Sequence, residues 1–177
     1  KIAGRKEGIE VDIQIKNLSV SFPSPKGDAK VLRDADIILK SGKITAIVGE
    51  SGSGKSILGA AVMGLLESSV RVSGEILFGN TDLLSLSEKE LNSIRGERIG
   101  WIAQDPVTAM DPMMKVGKQM MEGVHFYQNG KETKADGIQQ LEEFGLSDAQ
   151  RVWDAYPFGL SGGMAQRVLT AMMTLPG

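Results

Sequence analysis

The glycine-rich stretch at residues 49–56, GESGSGKS, constrains the fold of this chain more than any other feature. It fits the pattern G-x-x-x-x-G-K-[ST] at every fixed position. The apolar run at residues 44–48 precedes it, and a helix-like segment at about residues 55–66 follows it. A short, fully apolar run is typical of a buried parallel strand. The sequence therefore predicts a strand, a glycine loop and a helix in that order, which is a βα unit.

The residue types of this stretch, called the phosphate loop below, suit a polyphosphate. Glycine lets backbone N–H groups approach phosphate oxygens closely, and the N-terminus of the following helix adds about half a positive charge. Lys55 can reach the β- and γ-phosphates, and the Ser56 hydroxyl can ligate Mg²⁺. A flexible turn with a chance lysine is the alternative, but the predicted strand and helix on either side argue against it. We predict that a nucleoside triphosphate binds to Gly49, Glu50, Ser51, Gly52, Ser53, Gly54, Lys55 and Ser56.

The rest of the pattern predicts an α/β fold with a mixed sheet first and a helical segment after it. Strands are expected at residues 11–22, 35–39, 72–78 and 99–102. Ser87 and Glu90 have the spacing of a capping box and open a helix to about residue 94. Residues 116–144 are predicted to be helical, with an interruption at Asn129–Gly130. A second glycine loop at residues 159–163 precedes a helix at residues 164–175.

Composition excludes several classes of protein. The 177 residues are 41% hydrophobic and 24% charged, which is enough for a sizeable core. A formal net charge of −2 provides no broad basic surface for nucleic acid, so no nucleic-acid partner is expected. The absence of cysteine excludes disulfides and thiolate metal sites. No stretch approaches about 20 consecutive apolar residues, so any membrane role is expected to be peripheral.

The segment at residues 160–167, LSGGMAQR, resembles the LSGGQ signature of ATP-binding cassette (ABC) ATPases. Gln104 stands where that family has its Q-loop glutamine. The phosphate loop, Gln104 and the signature come in the family's order, and the similarity covers essentially the whole chain. The resemblance implies a P-loop ABC cassette, with residues 1–115 and 162–177 as the core that includes antiparallel strands. Residues 116–161 would form a helical subdomain that carries the signature.

The resemblance also implies a site shared by two cassettes packed head to tail. ATP would lie between the phosphate loop of one cassette and Ser161, Gly162 and Gly163 of the other. Gln104 would contact the metal, together with Ser56, and the attacking water. A loop residue with only a hydrogen-bonding role is the alternative for Gln104. Phe22 stands near the position of the aromatic that stacks on adenine, and an ordinary core phenylalanine is its alternative.

Within the family, three stretches are similar to ATPase subunits of bacterial peptide, nickel and metallophore importers. They are SVSFPSP around Phe22, the segment at residues 104–112, and YPFGLSGGM before and within the signature. Common peptide-importer forms have Asn and His where this chain has Asp111 and Phe158, which leaves the solute open. The implied partners are a second cassette, identical or related, the transmembrane permease subunits and, indirectly, an extracytoplasmic solute-binding protein. The implied location is the cytoplasmic face of the membrane.

Two further expectations concern a docking surface and the catalytic acids. Four methionines follow Gln104 and suit either an adaptable groove for the permease or a buried core stripe: Met113, Met114, Met120 and Met121. The family continues after the signature helix with a strand ending in Asp-Glu, a loop Asp and a switch histidine. None has a counterpart in this sequence, since the single histidine, His125, precedes the signature. We expect a cassette cut before these elements, with its C-terminal strands missing, to bind ATP weakly and hydrolyse it poorly.

Two other functions stay open at this point. One is a soluble ABC ATPase that acts on nucleic acid or in translation. The other is a non-catalytic nucleotide-binding module.

Overall fold

The computed structural model of the protein describes residues 11–128 and 132–175. The chain divides into two compact units, one ending at Asn92 and one beginning at Ser93. The first contains the described strands and is called the sheet unit; the second is called the helical unit. None of the described helices is both long enough and apolar enough to cross a membrane.

The sheet unit is built on four antiparallel strands in the order β2-β1-β3-β4. Their bounds are β1 Ile13–Phe22, β2 Ala29–Leu39, β3 Arg71–Phe78 and β4 Thr81–Asp82. Ile15, Leu18 and Val20 of β1 lie in the core, and Ile15 pairs with Ile76 of β3. A register shift at Asn17, where φ is 48°, brings Leu18 to the same face as Ile15. The predicted strands at residues 11–22 and 72–78 are thus confirmed, and the strand predicted at residues 35–39 begins earlier, at Ala29.

Two helices begin in the sheet unit, and the second ends two residues beyond Asn92. Helix α1, Lys55–Val62, begins where the sequence predicts and ends short of residue 66. Helix α2, Glu88–Ile94, has the predicted capping box, because Glu90 accepts hydrogen bonds from the backbone N–H and the hydroxyl of Ser87 at 2.8 and 2.6 Å. Both helices begin at a local sequence signal, which is the glycine loop for α1 and the Ser87–Glu90 pair for α2.

The apolar run at residues 44–48 is not a strand, contrary to the prediction. Ile44 is fully exposed and Val48 is 89% exposed. The four described strands pair with one another in antiparallel fashion, and none of them pairs with this run. A buried parallel strand needs neighbouring strands to pair with and other elements packed on both of its faces. The apolar pattern indicates only that the segment favours burial.

The helical unit consists of α3 Val116–Gln128, α4 Lys134–Glu143, α5 Ala149–Asp154 and α6 Gly162–Thr174. Its core is one apolar cluster in which Val116, Leu141 and Val168 are fully buried. The helices predicted at residues 116–144 and 164–175 are confirmed, whereas α5 was not predicted because six residues are too few for a clear helical period. The predicted interruption at Asn129–Gly130 lies outside the described residues. The strand predicted at residues 99–102 is reduced to a single bridge between Arg95 and Ile99.

Trp153 of α5 packs against α3 and α4 at two glycines. A Cβ atom placed on Gly117 would lie 2.1 Å from Trp153 Cε2, and one placed on Gly137 would lie 2.3 Å from Trp153 Cζ3. Real side chains do not approach so closely, so both positions require glycine for the indole to fit. This packing joins α3, α4 and α5.

Candidate functional site

The phosphate loop is closed by the side chain of Lys55. Its ammonium donates to the carbonyl oxygens of Gly49 and Glu50 at 2.8 and 2.6 Å and to Ser53 Oγ at 3.3 Å. The Ser53 N–H also donates to the Glu50 carbonyl at 3.2 Å. Through these contacts three oxygen atoms of the loop surround the Lys55 ammonium, so its positive charge lies at the centre of the loop.

The N-terminus of α1 is open to an anion. Its N-cap, Gly54, is left-handed with φ of 91° and supplies no side-chain cap for the first turn. Gly52 is also left-handed, with φ of 80°, and a Cβ there would meet nothing within 4 Å. The first N–H groups of a helix carry partial positive charge and need an acceptor from outside the helix. Lys55, the open helix terminus and the unobstructed glycine backbone therefore fit a polyphosphate, with Ser56 exposed at the same turn.

Strand β2 links the phosphate loop to the end of β1. A Cβ on Gly54 would lie 2.7 Å from Leu32 Cδ2, so the loop rests on the Leu32 side chain. Leu32 pairs with Val20, and Phe22, which is half-buried, pairs with Ala29 at the end of the strand. Two residues of strand correspond to about 7 Å. Phe22 thus lies two residues along β1 from Val20, whose partner Leu32 supports the phosphate loop.

The segment of residues 160–163, called the signature loop, caps α6. Ser161 is the N-cap, and its Oγ accepts a hydrogen bond from the Met164 N–H at 3.3 Å. Gly162 and Gly163 begin the helix without left-handed φ values, and a Cβ on either would meet nothing within 4 Å. Glycine costs roughly 0.5–1 kcal/mol relative to alanine inside a helix. Nothing within the described chain therefore requires glycine at these two positions.

An aromatic pair precedes the signature loop. The rings of Tyr156 and Phe158 are stacked, with centroids 5.5 Å apart and planes 9° from parallel. Phe158 is 75% exposed. Sequence reasoning noted Phe158 only as a departure from the common importer pattern and missed the pair, although the spacing Tyr-Pro-Phe was a usable signal.

Gln104 lies in the helical unit and is exposed. It precedes a turn in which Asp105 Oδ1 accepts hydrogen bonds from the N–H groups of Val107 and Thr108 at 3.1 and 3.3 Å. The next turn is organised in the same way, since Asp111 Oδ1 accepts from the Met113 N–H at 2.8 Å. An asparagine carbonyl would accept the same bond, so Asp111 preserves the turn despite its departure from the common pattern.

Gln119 of α3 fastens this second turn. Its Oε1 accepts from the Asp111 N–H at 2.9 Å, and its Nε2 donates to the carbonyl oxygens of Asp111 and Met114 at 3.0 and 2.8 Å. The turn borders an open groove of about 280 Å³, called the methionine groove, which is lined on its apolar side by Met110, Met114, Met120, Leu169, Met172 and Met173.

The four methionines singled out from the sequence divide between the two roles considered for them. Met114 and Met120 line the methionine groove, and Met120 is also part of the core. Met113 is exposed beside the groove, and Met121 packs against the core. His125 lies on α3, where its Nδ1 is 2.7 Å from the Met121 carbonyl oxygen. Within residues 11–128 and 132–175, no cluster of three or more His, Asp or Glu side chains could hold a metal ion.

Two carboxylates have perturbed acidities, and both are helix-capping groups. The pKa of Asp136 is lowered by hydrogen bonds from the hydroxyl and then the N–H of Thr133. The pKa of Glu90 is lowered in the same way by Ser87. Both carboxylates are exposed, so these shifts belong to helix capping and not to a catalytic site.

Comparison with protein families and curated proteins identifies relatives of most of the chain. The family model described as ABC transporter matches residues 32–176. The chain is 39% identical over 165 residues to the oligopeptide transport ATP-binding protein OppD of Escherichia coli (strain K12), covering 92% of this chain and 49% of that protein. It is 40% identical to the dipeptide transport ATP-binding protein DppD of Lactococcus lactis subsp. cremoris (strain MG1363), covering 90% and 47%. The chain thus spans about half the length of the curated relatives it matches.

Solved structures show the same fold. The dimeric structure of MJ0796, a bacterial ABC transporter cassette, matches with a TM-score of 0.81 at 24% identity, covering 93% of this chain and 69% of that one. A post-hydrolysis state of MJ0796, bound to ADP and Pi, matches equally well. The expected fold class, an α/β cassette built on a phosphate loop, is confirmed, although the described sheet is antiparallel and not mixed.

Proposed function

Because this chain belongs to the ABC transporter family, we propose that it is the ATP-binding part of an importer ATPase, which couples ATP binding and hydrolysis to the uptake of peptides. The relatives described above are named for oligopeptide and dipeptide transport, which favours peptides over the nickel and metal-chelate solutes that the sequence left open. The observation that carries the proposal is the phosphate loop, in which Lys55 occupies the centre of an open helix N-terminus.

ATP enters this site by replacing the contacts that now hold Lys55. The γ- and β-phosphates accept from the Lys55 ammonium and from the N–H groups of residues 52–56, where Gly52 leaves the backbone accessible. Phe22 stacks on the adenine base from the end of β1. The half-buried position of Phe22, together with the contact between Gly54 and Leu32, supports this role.

Magnesium accompanies the nucleotide and neutralises charge that develops on the phosphates. Ser56, exposed at the first turn of α1, offers a hydroxyl ligand, and Gln104 offers an amide oxygen of the kind that Mg²⁺ accepts. Gln104 also orients the attacking water in this proposal. Both side chains are neutral, so the bound nucleotide provides the negative charge that holds the ion.

A second cassette completes the site. Its phosphate loop presents ATP to Ser161, Gly162 and Gly163 of this chain, where the N-terminus of α6 meets the γ-phosphate. The two glycines support this arrangement, because the chain itself does not fill the space beside them. A ligand that comes within contact distance of the backbone explains their presence, whereas folding does not.

The permease subunits dock at the methionine groove, on the cytoplasmic face of the membrane. Methionine side chains are flexible and polarisable, so they adapt to the apolar face of a partner helix. Gln119 holds one edge of the groove by three hydrogen bonds to the backbone of residues 111–114, which keeps Met113 and Met114 in place. The solute-binding protein acts through the permease and does not contact this chain.

Titration with a fluorescent ATP analogue and Mg²⁺ tests whether the phosphate loop binds a nucleotide, on which the rest of the proposal depends. We expect saturable binding that unlabelled ATP competes away and that Lys55→Ala abolishes. Binding that is unchanged by Lys55→Ala would refute the assignment of the phosphate loop. Lys89→Ala, on the exposed surface of α2, is the control for loss of a lysine charge elsewhere in the sheet unit.

A further inference from the structure

Met113 differs in exposure from the other methionines of this chain. The chain has nine methionines, and all of them lie within the described residues. Met113 is 85% exposed, whereas the other eight are buried or half-buried. A buried side chain reacts with a dissolved reagent only when the structure around it opens, and such openings are rare in a packed core. A small oxidant therefore reaches Met113 more readily than the other methionines.

No thiol competes with the methionines for an oxidant. The chain contains no cysteine, so thioether sulfur is its only sulfur. Oxidation converts methionine to methionine sulfoxide, and sulfoxide reductases reverse the reaction. The change turns a flexible apolar side chain into a polar one. The composition thus confines sulfur oxidation to methionine, and the fold favours one methionine among the nine.

The turn that carries Met113 is fixed by hydrogen bonds to its backbone. The Met113 N–H donates to Asp111 Oδ1 at 2.8 Å, and the Met114 N–H donates to the Asp111 carbonyl oxygen at 3.2 Å. Gln119 of α3 adds three hydrogen bonds to the backbone of Asp111 and Met114, at 2.8 to 3.0 Å. These bonds keep two adjacent methionines in different environments, because Met113 is exposed while Met114 is half-buried and lines the methionine groove.

We propose that Met113 is a site of reversible oxidation by a hydroperoxide, and that Gln119 limits the reaction to this methionine of the turn. The Met113 sulfur donates an electron pair to one peroxide oxygen, so that an S–O bond forms and the O–O bond breaks. With hydrogen peroxide, the departing hydroxide takes up the proton of the transferred oxygen and leaves as water. The sulfide loses two electrons to become a sulfoxide, and these electrons reduce the peroxide.

The sulfoxide forms at the edge of the methionine groove. Met113 stands in the turn between Asp111 and Met114, and both of these residues line the groove. Oxidation therefore replaces an apolar side chain beside the groove with a polar one, a change that disrupts methionine-rich interfaces. The reaction takes place on the free chain, so it depends neither on the binding of ATP nor on the permease.

One tryptic peptide allows an internal comparison. Cleavage after Arg98 and Lys115 leaves Met110, Met113 and Met114 in the same peptide, and Met110 is only 3% exposed. In the folded chain we expect dilute hydrogen peroxide to oxidise Met113 about tenfold or more faster than Met110, with similar rates for all three methionines in guanidinium chloride. Fragment-ion mass spectrometry of the peptide locates the added oxygen. Equal rates for Met113 and Met110 in the folded chain would overturn the proposal, as would faster oxidation of Met114 than of Met113.

A matched pair of leucine variants tests the assignment to Met113. Met113→Leu keeps an apolar side chain of similar size and removes the exposed sulfur, and Met121→Leu does the same at a half-buried methionine of α3. We expect the intact chain to lose the fast phase of oxygen uptake in Met113→Leu and to keep it in Met121→Leu. Loss of this phase in both variants, or in neither, would overturn the assignment. Methionine sulfoxide reductases A and B with dithiothreitol should remove the oxygen from Met113, and a sulfoxide that persists would show that the oxidation is not reversible.

Gln119→Leu tests the role of the glutamine. The variant retains a side chain of similar length and lacks the three hydrogen bonds to the turn. We expect the oxidation rate of Met114 to rise toward that of Met113, because the turn no longer holds Met114 in place. Thermal unfolding of the variant shows whether the rest of the chain is unchanged. An unchanged Met114 rate would overturn the role of Gln119, and so would an equal rise in the rate of Met110, which would indicate general loosening.

Discussion

Lys55 Nζ donates to the carbonyl oxygen of Gly49 at 2.8 Å. The bond joins the first residue of the helix to the first residue of the loop, so the phosphate loop is closed by its own cation. A nucleotide that binds here needs only to exchange carbonyl oxygens for phosphate oxygens around the same ammonium. The loop is therefore arranged for an anion before any anion arrives, which reduces the cost of ordering it on binding.

We predict that Lys55→Arg does not restore the nucleotide binding that Lys55→Ala abolishes. The ammonium is a compact point charge surrounded by three oxygen atoms, and a planar guanidinium cannot occupy the same position. Thermal unfolding of both variants should resemble that of the unaltered chain, because the lysine lies at a surface loop. Fluorescent ATP titration of the arginine variant measures the effect, and affinity equal to that of the unaltered chain would contradict it.

We predict that Gly137→Ala destabilises the helical unit by about 1–3 kcal/mol or more, since a Cβ there would lie 2.3 Å from the Trp153 ring. Gly123→Ala on α3 is the matched control, because a Cβ at that helical glycine would meet nothing within 4 Å. The control should be neutral or slightly stabilising. Chemical denaturation followed by tryptophan fluorescence measures the free energy of unfolding of both variants. Equal values for Gly137→Ala and Gly123→Ala would contradict the prediction, because they would show that the indole moves aside without loss of stability.

We predict that Gly162→Ala leaves the free energy of unfolding unchanged or raises it by about 0.5–1 kcal/mol while it abolishes ATP-driven association. The space beside this glycine is open within the chain and is expected to be filled by the nucleotide of a second cassette. Denaturation and sedimentation velocity on the same preparation separate the two effects. A variant that still dimerises with ATP would argue against close approach at the signature loop.

We predict that Thr133→Ala raises the pKa of Asp136 toward its ordinary value, because the Thr133 hydroxyl is the main cause of its depression. A depressed carboxyl pKa contributes stability above the ordinary pKa, and that contribution is lost as the pH falls through the folded-state value. In the variant, the stability of α4 should therefore fall less than in the unaltered chain when the pH is lowered through the carboxyl pKa. Carboxyl chemical shifts in an NMR titration measure this, with Glu90, capped by Ser87, as an internal reference that should not move.

We predict negligible ATP turnover by the 177-residue polypeptide. The proposed function assigns the phosphates and the metal to Lys55, Ser56 and Gln104, but none of the residues of the polypeptide matches the family's Asp-Glu pair, loop Asp or switch histidine. Positioning without a group that orients water forfeits much of the rate. Phosphate release by this chain and by a chimera continued with the corresponding segment of OppD tests this. Turnover by the chain alone that depends on Lys55 would show that its catalytic residues are complete.

The local features of both loops could be predicted from the sequence. The phosphate loop ahead of α1, the Ser87–Glu90 cap and the loop before α6 depend on residues within a few positions of one another. Glycine conformations, capping hydrogen bonds and the first turn of a helix are short-range properties, so a local pattern is sufficient to identify them. The family's motifs are of the same kind, and they led to the family that the comparisons show.

The tertiary structure decided what depends on distant partners. Residues 44–48 have the composition of a buried strand, yet Ile44 is fully exposed because strand formation needs a neighbour that an apolar pattern cannot supply. The placement of Trp153 against Gly117 and Gly137, and of Gly54 against Leu32, joins residues far apart in the chain. The stacking of Tyr156 on Phe158 required the turn at Pro157 to bring two rings to one face. By itself the sequence determined which residues could bind a phosphate, whereas only long-range packing determined which apolar residues were buried and which were left exposed.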